Sequence, residues 1–168
     1  MGKQAVGGVV GGAAMAAVML VAGACDSERP CTLIGAPAGI RVEVRPPEAA
    51  RVASASLRVC WNGTCETPRI ELRGTAKSMP LGCDGDGPDA ACGASASPDG
   101  GTAGFASVAG LPKAPVDVEL TLRDAAGDEM FRERLSVTPE ATHPNGPDCG
   151  EGGAQAVLTM ADGRVTAG

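Results

Sequence analysis

Ala55-Ser56-Leu57-Arg58-Val59-Cys60-Trp61-Asn62-Gly63-Thr64-Cys65 is the stretch that decides the fold. Apolar residues at 55, 57, 59 and 61 alternate with Ser56, Arg58 and Cys60, the period of a strand with one face packed and one face wet. Asn62-Gly63 then supplies the two positive φ angles of a type I′ turn, so the chain reverses into a hairpin. With a two-residue turn, Trp61 faces Thr64 as a hydrogen-bonded pair. Cys60 then faces Cys65 at a non-hydrogen-bonded pair, where Cα atoms approach to about 4.5 Å. That separation suits a disulfide. The same register continues to Leu57 beside Pro68 and Ala55 beside Ile70. Pro68 lacks a ladder donor, so a bulge or an edge position is expected there.

The same alternation recurs on both sides of this hairpin. Ile40, Val42 and Val44 alternate with Arg41, Glu43 and Arg45. Ile70 and Leu72 flank Glu71. Val116, Val118, Leu120 and Leu122 alternate with Asp117, Glu119, Thr121 and Arg123. Phe131, Leu135 and Val137 form a weaker set that Glu133 interrupts, and Ala154, Ala156, Leu158 and Met160 close the chain. Turn signals stand between the sets: Pro46-Pro47, residues 124–128 with Gly127, and Asp162-Gly163. About seven short strands at this spacing predict an all-β, antiparallel β-sandwich of immunoglobulin-like or fibronectin-like type over residues 38–168, with a small barrel as the alternative. Residues 74–104 are rich in Gly, Ala, Ser, Pro and Asp and read as a long mobile surface loop.

The chain has 168 residues, of which 25 are Gly and 13 Pro, with one Trp, two Phe and no Tyr. So few aromatics leave little area per core side chain, and the seven cysteines supply the compensation. Cys60 with Cys65 and Cys83 with Cys92 pair by proximity, which leaves Cys31 with Cys149. Fifteen connectivities are open to six cysteines, so this is a preference from spacing. No CxxC pair is present and His143 is the single histidine, which excludes a zinc site of ordinary spacing.

The seventh cysteine, Cys25, ends an export segment. Lys3 is followed by an uncharged run from Ala5 to Ala24, the layout of a secretory signal peptide over residues 1–24. Ala22-Gly23-Ala24 is an A-x-A cleavage site, and with Cys25 it also matches a bacterial lipobox, except that Ala22 stands where Leu is usual. Cysteine parity favours lipidation of Cys25, because six cysteines then remain for disulfides. An uncleaved helix is the third reading, since Gly7 with Gly11 and Gly8 with Gly12 fit GxxxG, a spacing that a Gly-rich run also makes by chance. With Cys25 acylated, residues 25–37 form the lipidated Cys and its tether, and the membrane is a partner through the anchor.

Candidate binding chemistry is sparse. Asp84, Asp86 and Asp89 with intervening Gly offer oxygen ligands to Ca²⁺, although Gly is misplaced for an EF-hand and the twelfth-position Glu is missing. The competing reading is a solvated acidic loop, and no other cofactor is expected. His143 lies in a Pro- and Gly-rich turn, and the sequence has no GxSxG elbow to supply a nucleophile. Trp61 is either a binding anchor or the core end of its hairpin. Asn62-Gly63-Thr64 matches a glycosylation sequon that turn chemistry already explains. The eleven Arg and three Lys are interleaved with acids, and the net charge of −6 excludes nucleic acid as a partner through a basic face.

The signal ending at Cys25, the Cys-Trp-Asn-Gly-Thr-Cys hairpin and Pro144-Asn145-Gly146-Pro147-Asp148-Cys149 together resemble small secreted lipoproteins of GC-rich, actinomycete-type bacteria. The resemblance implies a secreted, lipid-anchored protein on the extracytoplasmic face of the cell membrane, and brings no reaction with it. The expected function is non-enzymatic binding or support at the envelope with an envelope protein partner. The alternative is a secreted inhibitor or immunity protein acting on a protease or lytic enzyme.

Overall fold

In the computed structural model, which describes residues 31–168, the alternating segments form ten strands in two sheets. The expected signal segment 1–24, the lipidation candidate Cys25 and the expected tether through residue 30 lie outside the described residues. The strands are β1 (Gly39–Val44), β2 (Ser54–Trp61), β3 (Thr64–Glu66), β4 (Arg73–Cys83), β5 (Cys92–Ser107), β6 (Val116–Arg123), β7 (Glu129–Val137), β8 (Glu140–Ala141), β9 (Ala154–Ala161) and β10 (Arg164–Ala167). One sheet runs β10-β9-β1-β5-β4, with β8 also paired to β9, and the other runs β3-β2-β6-β7. The all-β, disulfide-stapled sandwich expected from alternation is therefore present, with ten strands where about seven were expected. Its ladders are antiparallel except for β1 on β9, which is parallel, with Ile40 opposite Ala156 and Val44 opposite Met160.

The core lies between the sheets. Ile40, Val42, Leu158 and Val165 meet Leu57, Val59, Val118, Leu120 and Leu122, all buried. Trp61 is half-buried against this core, as the end of its hairpin and not as an exposed anchor. Aliphatic side chains make almost all of the interior. Phe131 packs on it only in part.

The quoted hairpin forms as expected at its tip. Asn62 and Gly63 have φ of 49° and 76°, and Cys60 opposes Cys65 with a Cα separation of 4.0 Å and a disulfide. The ladder ends at Glu66, so the expected pairs of Leu57 with Pro68 and Ala55 with Ile70 do not form. Pro68 cannot donate, and beyond it the chain leaves its sheet. Residues 67–72 instead cross extended, with Pro68, Ile70 and Leu72 half-buried and Thr67, Arg69 and Glu71 exposed. The crossing passes over β5 at Gly104, where an added Cβ would lie 2.6 Å from Ile70 Cγ2 and 2.7 Å from the Glu71 carbonyl. Only glycine admits that approach.

Residues 74–104 require the main correction. They are not a mobile loop: β4 and β5 pair from Arg73 opposite Ala103 to Cys83 opposite Cys92. The remaining bridges are Cys83–Cys92 and Cys31–Cys149, so all six cysteines of the described residues are paired. Around the long bridge, the Asn145 side chain donates to the Ile34 carbonyl at 2.9 Å and accepts from its N–H at 3.3 Å, standing in for a strand partner.

Candidate functional site

The proximal part of the β4–β5 hairpin belongs to the sandwich, because Thr102 to Ser107 pair with β1. Beyond Thr102, β5 has no partner except β4. Residues 75–99 therefore project as a two-stranded arm, and from Ala76 to Cys83 it runs roughly 23 Å at about 3.3 Å per residue. Almost every residue of the arm is exposed. Small side chains (Ala76, Ala94, Ser95, Ala96, Ser97) cover most of it, while Met79 and Leu81 are large apolar side chains at 41% and 71% exposure. Leu33 and Ile34, beside the Cys31–Cys149 bridge, are likewise open, but the arm differs in having no core of its own in which to place Met79 and Leu81.

The arm is fixed at both ends. At its base the β4–β5 register breaks between Gly74 and Ala76, so that Asp99, Gly100 and Gly101 bulge opposite Thr75. Asp99 Oδ1 accepts from the Thr75 hydroxyl and from the Gly101 N–H at 3.0 Å. A Cβ at Gly101 would fall 2.6 Å from Thr75 Oγ1, so the bulge needs glycine there. These donors hold the Asp99 carboxyl below its ordinary value of 3.8, the Thr75 hydroxyl bond foremost and the Gly101 amide next, with Arg45 adding attraction. At the far end, Cys83–Cys92 closes the ribbon, and the Asp84 N–H donates to the Ala91 carbonyl at 2.9 Å.

The sign of the Asp99 effect sets a prediction. A carboxyl whose folded value is depressed contributes above its unfolded value and loses that contribution as pH falls through the folded one. The Gly101 amide proton, followed by NMR, should titrate with a midpoint below 3.8 and shift upfield as its bond to Asp99 is lost. A midpoint at or above that value would remove Asp99 as the anchor of the arm.

The tip carries Asp84, Asp86 and Asp89 with no basic residue between Cys83 and Cys92. They do not converge: among the described residues no group of three acidic, His or Cys side chains is arranged to hold a metal ion. Asp84, Asp86 and Asp89 stand as exposed charge at the tip. Over residues 75–99 the arm has four Asp and one Lys, a net −3 out of the chain's −6.

Two other features carry less chemistry. The outer face of the four-stranded sheet has a shallow groove of about 400 Å³ where Arg58, Glu119 and Arg134 stand in one row. Glu119 accepts from both Arg134 and Arg132, and Arg132 also holds Glu129, whose carboxyl is lowered chiefly by that bond. Glu119, Glu129, Arg132 and Arg134 are thus spent on each other, as in a cross-strand ladder of a wet face, while Arg58 makes no ion pair among the described residues. His143 is exposed in its turn, where its carbonyl accepts from Gly146 N–H at 3.0 Å. Among the described residues no hydrogen bond joins its ring to a nucleophile or carboxylate.

The fold and the arm define a three-disulfide β-sandwich that presents one projecting, acidic hairpin. No family model matches this chain, and no curated protein or solved structure matches it.

Proposed function

We propose that this chain is a lipid-anchored protein of the extracytoplasmic envelope face that binds a protein partner through the β4–β5 arm. The partner presents a basic surface, because the arm brings three carboxylates to its tip and the whole chain is acidic. The observation that carries the reading is the arm itself. A ribbon exposed on both faces, clamped by Cys83–Cys92 and tied down by Asp99, adds no core to the domain and keeps Met79 and Leu81 in water. Three disulfides fit an oxidising compartment. Their pairing leaves Cys25 outside every bridge of the described residues, which supports its acylation.

The inhibitor reading is favoured by the same arm, since a rigid ribbon only two strands wide fits an enzyme cleft. One experiment serves both. Full-length protein and its Cys25→Ser variant are expressed in a lipoprotein-processing bacterium and partitioned into detergent. The wild type should enter the detergent phase and the variant should not; equal partitioning would remove the anchor. Cross-linking in envelopes should then yield one stoichiometric partner. Leu81→Asp should abolish it, and Asp84→Asn with Asp86→Asn and Asp89→Asn should weaken capture about tenfold and reduce its salt dependence. Capture unchanged in both variants would overturn the arm as the contact element. A lytic enzyme or protease inactivated on binding would select the inhibitor.

A further inference from the structure

A second candidate site lies at the end of the sandwich from which the arm springs, where Val44 stands opposite both Thr102 and Met160 and the chain after β1 passes close to Gly100. After β1 the chain crosses between the sheets through a short 3-10 turn at Glu48–Ala50. This turn meets the facing ends of β6 and β7 and the β9–β10 turn around a cavity of about 160 Å³. Its walls are Val52, Leu122, Met130, Phe131 and Met160, and Glu48 stands at its border. Leu122 and Met160 are buried, while the others are half-buried and form the mouth.

Glu48 is held in place there. Its Oε1 accepts the Gly163 N–H at 3.2 Å, in the turn where Asp162 and Gly163 have φ of 52° and 74°. Its other oxygen, Oε2, is withdrawn from solvent and has no hydrogen-bond partner. Among the described residues no cation pairs with this carboxylate; Arg51 also borders the cavity, but it is exposed and makes no ion pair with Glu48. A buried carboxylate oxygen with no donor is costly, and a donor bearing positive charge satisfies it best. The terminal torsion of Glu is soft and Met130 is unbranched, so small movements turn Oε2 toward the cavity.

We propose that this cavity binds a primary ammonium ion carrying one small apolar group, with the ammonium on Glu48 Oε2 and the apolar group between Leu122, Phe131 and Met160. The size argues for one ring or a short chain, since a cavity of about 150 Å³ holds benzene. A pocket of apolar walls with a single convergent acceptor selects by charge and size together. Methionine walls accommodate rings of differing shape, with sulfur against the ring edge.

The probe is benzylammonium, titrated into the protein while the Met130 and Met160 methyl signals are followed by carbon-edited NMR. Both methyls should shift in a saturable way, with a Kd on the order of millimolar or tighter for a ligand of this size. Benzyl alcohol, of the same shape without the charge, should bind at least tenfold more weakly. Glu48→Gln keeps an oxygen for Gly163 and should weaken benzylammonium at least tenfold. Met130→Trp leaves the carboxylate in place and fills the mouth, and it should abolish binding in a protein whose thermal unfolding stays cooperative. Unmoved methyls at saturating probe, equal binding of the alcohol, or undiminished binding by either variant would each overturn the assignment. These outcomes are independent of the arm and its partner.

Discussion

Serine at both Cys31 and Cys149 is expected to lower the unfolding free energy by about 3–5 kcal/mol. The bridge spans 118 residues. Loop-closure entropy for a loop that long is worth about 5 kcal/mol in the unfolded chain. Some of this is returned in the folded state, where residues 31–37 gain freedom once the bond is gone. The return is limited, because Asn145 still holds Ile34 from both sides and Gly153 N–H still donates to the Ala36 carbonyl at 2.8 Å. Paired urea titrations of the oxidised wild type and the double variant measure the difference. The slope should also rise, since the uncrosslinked denatured chain exposes more surface. The Cys60–Cys65 bridge spans five residues, and the same reasoning gives it only about 2 kcal/mol. Equal losses from the two double variants would contradict the entropic account.

Alanine at Leu120 is expected to cost about 3–4 kcal/mol, lowering the melting temperature by about 10–15 °C. Leu120 is fully buried at the middle of β6, an interior strand, opposite Leu57 on β2. The loss combines the transfer of the removed methyl groups with the cavity left behind, and the cavity closes poorly where both neighbours are held by ladders. No large aromatic ring lies beside it to swing into the gap, because Phe131 is only half-buried and Trp61 sits at the hairpin end. Calorimetry on the alanine variant decides it, with Leu120→Met as a volume-conserving control expected to cost under about 1.5 kcal/mol.

The strands that face one another across the core were legible because each has an inside. Val116, Val118, Leu120 and Leu122 declare their buried face by period alone, and Asn62-Gly63 declares its turn through backbone sterics. The arm was not legible for the same reason inverted. Residues 75–99 are exposed on both faces, so nothing selects apolar side chains at alternate positions, and small residues with Gly and Pro read as loop. The candidate site was therefore seen as a location and a charge, while its rigidity was missed. The pairing of Cys83 with Cys92 was the one available signal that the ends of that segment return to each other.

Glu133 separates the two levels most clearly. In sequence it interrupts the apolar set of β7. In the fold it pairs opposite Leu120, on the inward side, and its Oε2 accepts the Val165 N–H of β10 at 3.2 Å. Both strands are edges of their sheets, and Val165 lies opposite Met160 in β10, with its N–H directed away from β9. A carboxylate there closes an edge that would otherwise be open to pairing.

The sequence by itself determined the strands with a buried face, the tight hairpin turns and the pairing of the nearby cysteines, because these follow from side-chain period and local backbone geometry. Tertiary structure alone decided the parallel β1–β9 ladder, the crossing at Gly104, the inward Glu133 and the projection of the arm. Each depends on which distant segments meet, and a period of two carries no information about the partner.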